Sequence, residues 1–352
     1  MASRAIPAQM RQIMVKKLGN KFREVTEVVQ VPVPKPGPKQ ALVRTSYVAI
    51  NASDIMFTSG FYTPGAQPPF PAGLEAMGEI VLAGEGSKLN VGQNVVFSKY
   101  GSFSEYLVVN DANVAPVPTD DPVVLNLPIS GTTASIALEK KGELKKGENV
   151  LVTAAAGATG QFVVQLAKLA GCHVIGTCSS EEKAAFLKSI GCDRTVNYNK
   201  ESLSDVLTKE YPNGVDVVYE SVGYEMFKTC FKNLSIFGRL IVIGAISGYE
   251  SEEGAAATGS NVSIPFRALE KSADVRGFFL GHYKKEIPAH IARLFQLITT
   301  GQLKAVTDNG EKSDKGPFRG IDMVYDAVEY MYARKNTGKV VVKISTHSNS
   351  SL

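Results

Sequence analysis

The chain has 352 residues, with 38 lysines and arginines against 34 aspartates and glutamates and a hydrophobic fraction of 44%, an ordinary globular composition that excludes a disordered tail protein. At roughly 100 to 200 residues per domain, this length predicts two domains, each able to bury its own core. A net charge of +4 gives no field that favours nucleic acid, and Lys140-Lys141 and Lys145-Lys146 read as a solvated loop.

In chain order, Met1-Ala2-Ser3-Arg4 opens neither an apolar h-region nor an amphipathic presequence, and no apolar run reaches the roughly 18 residues that span a bilayer. A soluble, unsecreted protein with no membrane span is expected. From Val28 to Asn126 the pattern is strand-like. The proline-rich stretch 31–38 cannot be helix, residues 41–50 alternate at period two, and the runs 78–84, 93–97 and 104–109 are β-rich between turn residues. After Thr132-Thr133-Ala134 the pattern becomes alternating strand and helix, which predicts a doubly wound parallel sheet. Its strands are expected at 149–154, 172–177, 215–219, 238–243 and 275–280, the first of them an apolar run suited to burial on both faces. The helix after the first strand places Phe162, Val163, Leu166, Leu169 and Ala170 on one face. A helix at 321–333 and a strand at 338–344 return to the first domain. The fold class is therefore α/β: a mostly β domain over 1–128 and 305–352, and a parallel-sheet domain over 129–304.

Cys172, Cys178, Cys192 and Cys230 show no C-x-x-C pair and no disulfide framework, which points to a reducing compartment. The ending Ser350-Ser351-Leu352 differs by one residue from a peroxisomal S-K-L, so cytoplasm and peroxisome both stay open.

Ala154 to Gly160 lies between the buried strand and the periodic helix. Small residues there let the backbone approach a pyrophosphate while the opening N–H groups of the helix face its charge. A tight turn needs glycine for steric reasons alone, but strand, turn, helix and second strand together select dinucleotide binding. The second strand ends in Thr177-Cys178-Ser179-Ser180-Glu181-Glu182-Lys183. Two hydroxyls and a lysine suit a 2′-phosphate and so favour NADP over NAD; the alternative is that Ser179 or Ser180 only caps the next helix.

Asn51-Ala-Ser-Asp54, the stretch from Pro71 to Gly78, Val91-Gly-Gln-Asn-Val95, the stretch from Gly101 to Tyr106, the Ala154 to Gly160 turn and Asn336-Thr-Gly-Lys-Val together carry a resemblance. Over nearly its whole length the chain resembles the medium-chain dehydrogenase/reductase superfamily, in its zinc-independent quinone and enone reductase branch. The resemblance implies a GroES-like fold for the mostly β domain and a Rossmann fold for the other. It implies that Gly157, Thr159 and Gly160 cradle phosphate and that Ser179, Lys183 and Tyr198 surround the 2′-phosphate of NADPH. Ser221 and Ile243 would flank adenosine and ribose, Phe278, Phe279 and Leu280 the nicotinamide carboxamide, and Asn336 would reach back to the cofactor. No metal is expected, because Asn51 and Leu74 stand where the zinc-dependent branch carries Cys and His.

The activity implied is NADPH-dependent reduction of the C=C bond of α,β-unsaturated ketones, with 15-keto-prostaglandins as the substrate suggested. A general quinone reductase and a catalytically weak cofactor-binding or interaction protein are the alternatives. Negative charge on the substrate oxygen calls for a hydrogen-bond donor. Tyr249, after the strand that ends near Ile243, is the first candidate for that role and a cofactor contact; Asn51 and Tyr62 are the second. The expected partners are a small enone or quinone and a second copy of the chain in a homodimer, with no nucleic acid.

Overall fold

The computed structural model describes residues 6–251 and 264–344, which divide into two compact units, the first over 6–128 and 307–344 and the second over 129–251 and 264–306. In the first unit come β1 (Gln9–Val15), α1 (Phe22–Val25), β2 (Thr26–Pro32), β3 (Gln40–Ala49), α2 (Ser53–Thr58), β4 (Phe70–Pro71), β5 (Glu75–Ala83), β6 (Asn94–Ser98), β7 (Tyr106–Asn110) and β8 (Val114–Val117). The second unit holds α3 (Thr132–Ala137), β9 (Asn149–Val152), α4 (Gly160–Leu169), β10 (His173–Cys178), α5 (Glu181–Ser189), β11 (Arg194–Asn197), α6 (Leu203–Glu210), β12 (Val215–Glu220), α7 (Tyr224–Lys232), β13 (Leu234–Val242), α8 (Ile264–Lys271), β14 (Asp274–Gly277) and α9 (Ile287–Thr299). The chain then returns to the first unit with β15 (Thr307–Asp308), α10 (Met323–Tyr332) and β16 (Lys339–Lys343).

The first unit is built on a curled sheet of order β15-β16-β3-β5-β6-β8, with β7 pairing β3, beside a smaller sheet β2-β1-β4. The period-two alternation expected over 41–50 is not kept in β3: Ala41, Leu42 and Val43 are buried in succession, as are Val48 and Ala49, so both faces are covered at its ends, and the pairing with β5 shifts register twice. Register decides what meets at one end of this sheet. Ala49 of β3 stands opposite both Glu75, the first residue of β5, and Val341 of β16, so Asn51, Glu75 and Lys339 converge.

The second unit is a six-stranded sheet of order β11-β10-β9-β12-β13-β14, with every neighbour parallel. Its strands are apolar on both faces because helices cover both, and Leu151, Ile175, Val218 and Leu240 are fully buried. In α4, Gln161 and Gln165 are buried with the apolar residues. Their amides pair with the backbone of Val306 and Lys304 as a strand would, at 2.7 to 3.1 Å.

Three differences from the sequence reading have physical causes. The strand expected at 275–280 stops at Gly277, because its neighbour β13 ends at Val242 and offers no further ladder partner. β13 begins at Leu234, earlier than expected, with Ile236 and Phe237 exposed at a register shift. β1 and β11 were not foreseen; both are short or mixed in polarity and owe their strand form to neighbours. All four cysteines are buried free thiols, and no helix among the described residues is long and apolar enough to cross a membrane. The terminal Ser350-Ser351-Leu352 lies outside the described residues.

Candidate active site

The carboxyl edge of the parallel sheet collects the sequence candidates of the second unit. Ser179 follows Cys178 at the end of β10, Tyr198 follows β11, Ser221 follows β12, Ile243 follows β13 and Phe278 follows β14. Thr159 and the glycine turn follow β9. In open α/β sheets ligands bind outside this edge, where chain reversals leave room between loops.

The turn has a definite internal structure. Ala154, its first residue, has φ +46°, a conformation that usually goes to glycine. It is held there by Thr177, whose hydroxyl accepts the Ala154 N–H at 3.1 Å while its carbonyl accepts the Ala155 N–H at 3.1 Å. A Cβ on Gly160 would meet the carbonyl oxygens of Ala154 and Ala155 at 2.6 Å, so that glycine closes the turn itself. A Cβ on Gly157 would meet only the Ala154 oxygen, at 3.2 Å. That contact is tight but single, so packing constrains Gly157 less than Gly160. Thr159 caps α4 without a side-chain capping bond, so its hydroxyl is not spent on the helix.

Next along the edge, the Tyr198 N–H donates to the Cys178 carbonyl at 3.1 Å and the Asn199 side chain to the Ser179 carbonyl at 2.7 Å. These bonds tie together the loops that carry Ser179 and Tyr198. Ser180, not Ser179, caps α5, accepting the Lys183 N–H at 3.2 Å. The capping alternative thus holds for Ser180, and Ser179 is not the cap. Glu181, an acid beside this group, is drawn aside by Asn197 at 2.8 Å and Lys200 at 3.2 Å, which hold its carboxyl below the usual range.

At the ends of β12 and β13, Thr153 accepts the Ser221 N–H at 2.9 Å, and the Ile243 N–H donates to the Glu220 carbonyl at 2.8 Å. Sequence reasoning missed Glu220. Its buried carboxylate accepts the N–H groups of Val222 and Gly223 at 2.8 and 2.9 Å and so shapes the loop that presents Ser221. Burial pushes its pKa up, while those two N–H groups and the Thr153 hydroxyl oppose the shift. The available signal was a carboxylate ending an otherwise apolar strand. Tyr249 is buried, and its hydroxyl accepts the Ala245 N–H at 3.1 Å, folding the ring back onto the loop after β13. The Phe278 N–H donates to the Val242 carbonyl at 3.0 Å, and its ring stacks on Tyr283 with centroids 4.8 Å apart. Phe279 is exposed, and Leu280 begins a short helical turn.

In the first unit, Asn51 is nearly buried and its amide is committed. Lys339 donates to its Oδ1 at 2.6 Å, and its Nδ2 donates to Glu75 at 3.2 Å and more weakly to the Ala49 carbonyl at 3.4 Å. This favours a positioning role over direct donation to substrate. Sequence reasoning gave no role to Lys339 or Glu75; the signal was a lysine opening an apolar strand. Asp54 accepts the Asn51 N–H through Oδ2 at 2.8 Å, and its buried Oδ1 has no partner. Tyr62 is half-buried in an aromatic cluster, edge-on to Phe57 at 5.3 Å, with Phe57 also edge-on to Tyr100 at 4.5 Å. The Asn336 side chain donates to the Gly338 carbonyl at 2.8 Å and braces the turn into β16.

Residues 37–119 match the family described as alcohol dehydrogenase GroES-like domain, and residues 158–296 the family described as zinc-binding dehydrogenase. The chain is 50% identical over 351 residues to prostaglandin reductase-3 of Mus musculus, covering 99% of this chain and 93% of the relative. The chain belongs to the medium-chain dehydrogenase/reductase superfamily, among its quinone and enone reductases. Another relative, a probable quinone oxidoreductase of Leishmania amazonensis, is 44% identical over 96% of this chain and 99% of its own. Among solved structures, Escherichia coli quinone oxidoreductase complexed with NADPH superposes with a TM-score of 0.80 at 25% identity, covering 95% of this chain and 99% of that one.

Although one matched family of the superfamily carries zinc in its description, the residues here do not fit that metal. Asn51 and Leu74 offer an amide and a hydrocarbon where a thiolate and an imidazole would be needed, and the Lys339 ammonium lies against Asn51 and Glu75. The cysteines lie in the other unit, and no cluster of three or more His, Cys, Asp or Glu among the described residues is arranged to hold a metal ion.

Proposed function

We propose that this chain is an NADPH-dependent reductase of the C=C bond of α,β-unsaturated ketones, with 15-keto-prostaglandins as substrates. What supports the reading is the sheet's carboxyl edge, where Ser179 without a capping duty and Tyr198 sit on loops tied to each other, Lys183 lies in the first turn of α5, and Gly157 lies in the turn before α4. Hydroxyls and an ammonium suit the 2′-phosphate dianion, and the diversion of Glu181 lowers the repulsion it would meet. Gly157 and Thr159 would hold the pyrophosphate at the start of α4; Ser221, Ile243, Phe278, Phe279 and Leu280 would line the nucleoside and nicotinamide ends, and Asn336 would support the cofactor. Bound NADPH supplies the hydride. The protein's part is to orient the substrate and stabilise the charge that appears on its oxygen, for which Tyr249 is the leading donor and Tyr62 the next. Similarity to prostaglandin reductase-3 supports the prostaglandin-type substrate.

A general quinone reductase is the second reading, favoured by the 44% identity to the Leishmania protein. Steady-state turnover with NADPH against 15-keto-prostaglandin E2, simple enones and quinones decides between them, and higher kcat/KM for quinones would overturn the first reading. A homodimer formed through the outer edge of β14 and residence in the cytoplasm or peroxisome belong to the same proposal. Sedimentation would test the dimer.

A further inference from the structure

Three strand ends of the first unit bring a buried charge pair onto one amide. Lys339 and Glu75 are both 0% exposed, with Nζ and Oε2 2.5 Å apart, and both hydrogen-bond the side chain of Asn51. The Asn51 backbone is fixed in turn by Asp54, and the next carbonyl, that of Ala52, accepts the Tyr332 hydroxyl at 2.7 Å. The turn 51–54 is thus held from β3, β5, β16 and α10 at once. It opens α2, which leads directly to Phe57 and Tyr62; the Tyr62 N–H returns to the Met56 carbonyl at 3.0 Å.

A buried ion pair contributes little net stability, because desolvating both charges offsets their attraction and apolar replacements of similar size often do as well. Its effect here is geometric. The ammonium accepts no hydrogen bond and the carboxylate donates none, so between them they fix which end of the Asn51 amide points where. A neutral pair would allow the amide to turn over.

We propose that Lys339 and Glu75 are positioning residues of the reductase, acting through Asn51 to set the start of α2 and with it the Phe57–Tyr62 aromatic pair that meets the substrate. The inference rests on the reductase reading above and on Tyr62 as a substrate contact. It assigns the two charges to substrate alignment, with no share in cofactor binding.

The test is the double variant Lys339→Met/Glu75→Gln in the full chain, which removes both charges and strands neither. Expected are an unchanged melting transition and NADPH dissociation constant, kcat with enone lowered about ten- to a hundred-fold, as for a misplacement near 1 Å, and faster amide exchange confined to residues 51–59. Wild-type kcat together with wild-type exchange in that segment would overturn the proposal. Should the double variant not fold, Lys339→Arg and Glu75→Asp keep the charges and alter only their reach; wild-type kcat and exchange in both would overturn it equally. If the wild-type protein reduces neither enones nor quinones, the reductase reading fails and this proposal with it, whereas a turning-over wild type whose variants are silent rejects the positioning role alone.

Discussion

The phenol oxygen of Tyr249 accepts a hydrogen bond from the Ala245 N–H at 3.1 Å, which fixes the ring against the loop that leaves the parallel sheet after β13. A hydroxyl held this way is preorganised, and a donor that needs no reorganisation is worth most as charge develops. Tyr249→Phe is expected to lower single-turnover hydride transfer about ten- to a thousand-fold with saturating NADPH, while loss of the Ala245 bond costs about 1 kcal/mol of stability. An unchanged single-turnover rate would remove Tyr249 from the catalytic group and leave Tyr62 as the donor to test.

Lys183 lies in the first turn of α5, beside Ser179 and the cap Ser180. Lys183→Ala should weaken NADPH binding about ten- to a hundred-fold and leave NADH binding nearly unaffected, the difference being one charge-assisted contact. Titration of both cofactors checks it; equal losses would mean the lysine does not read the phosphate.

The two glycines of the turn should respond differently. Gly160→Ala forces a methyl onto two backbone carbonyls and is expected to destabilise the second unit by about 1 to 3 kcal/mol. Gly157→Ala meets one oxygen at 3.2 Å, so the fold should hold while NADPH affinity falls. Denaturant midpoints alongside cofactor titration separate these effects, and intact affinity in a folded Gly157→Ala would place the pyrophosphate elsewhere.

Zinc should not be needed. With the Lys339 ammonium against Asn51 and Glu75, dialysis against a strong chelator is expected to leave turnover intact, and elemental analysis to find no stoichiometric metal. Activity lost to chelator and restored by zinc would contradict this.

Burial raises the Asp54 carboxyl to about 7, the Asn51 N–H and Lys339 opposing that rise and Glu75 adding to it. In the unfolded chain the same group titrates near the ordinary ~4, so the native state binds the proton more tightly. The stability this contributes is full below about pH 4 and is lost as pH rises through about 7. Asp54→Asn should therefore flatten that fall, narrowing the wild-type decline between about pH 4 and 7 by a few kcal/mol. Parallel stability-pH curves for the two proteins would show that Asp54 does not hold the proton.

What the sequence by itself determined was local and periodic. Apolar runs such as 149–152 and the spacing of Phe162, Val163 and Leu166 specify the strand and helix around the glycine turn, because side-chain period follows from backbone geometry alone. The candidate residues at the strand ends were legible for the same reason, as each follows an apolar run. Tertiary structure decided what register and burial decide. Nothing near Asn51 in the chain announces that Lys339, 288 positions away, would donate to its side chain; the antiparallel pairing of β16 with β3 brings them together. Likewise Glu220 and Asp54 are ordinary acids in the sequence. Only the packed units take them out of water, and burial pushes both carboxyls up while backbone N–H groups oppose it, two of them at Glu220 and one at Asp54.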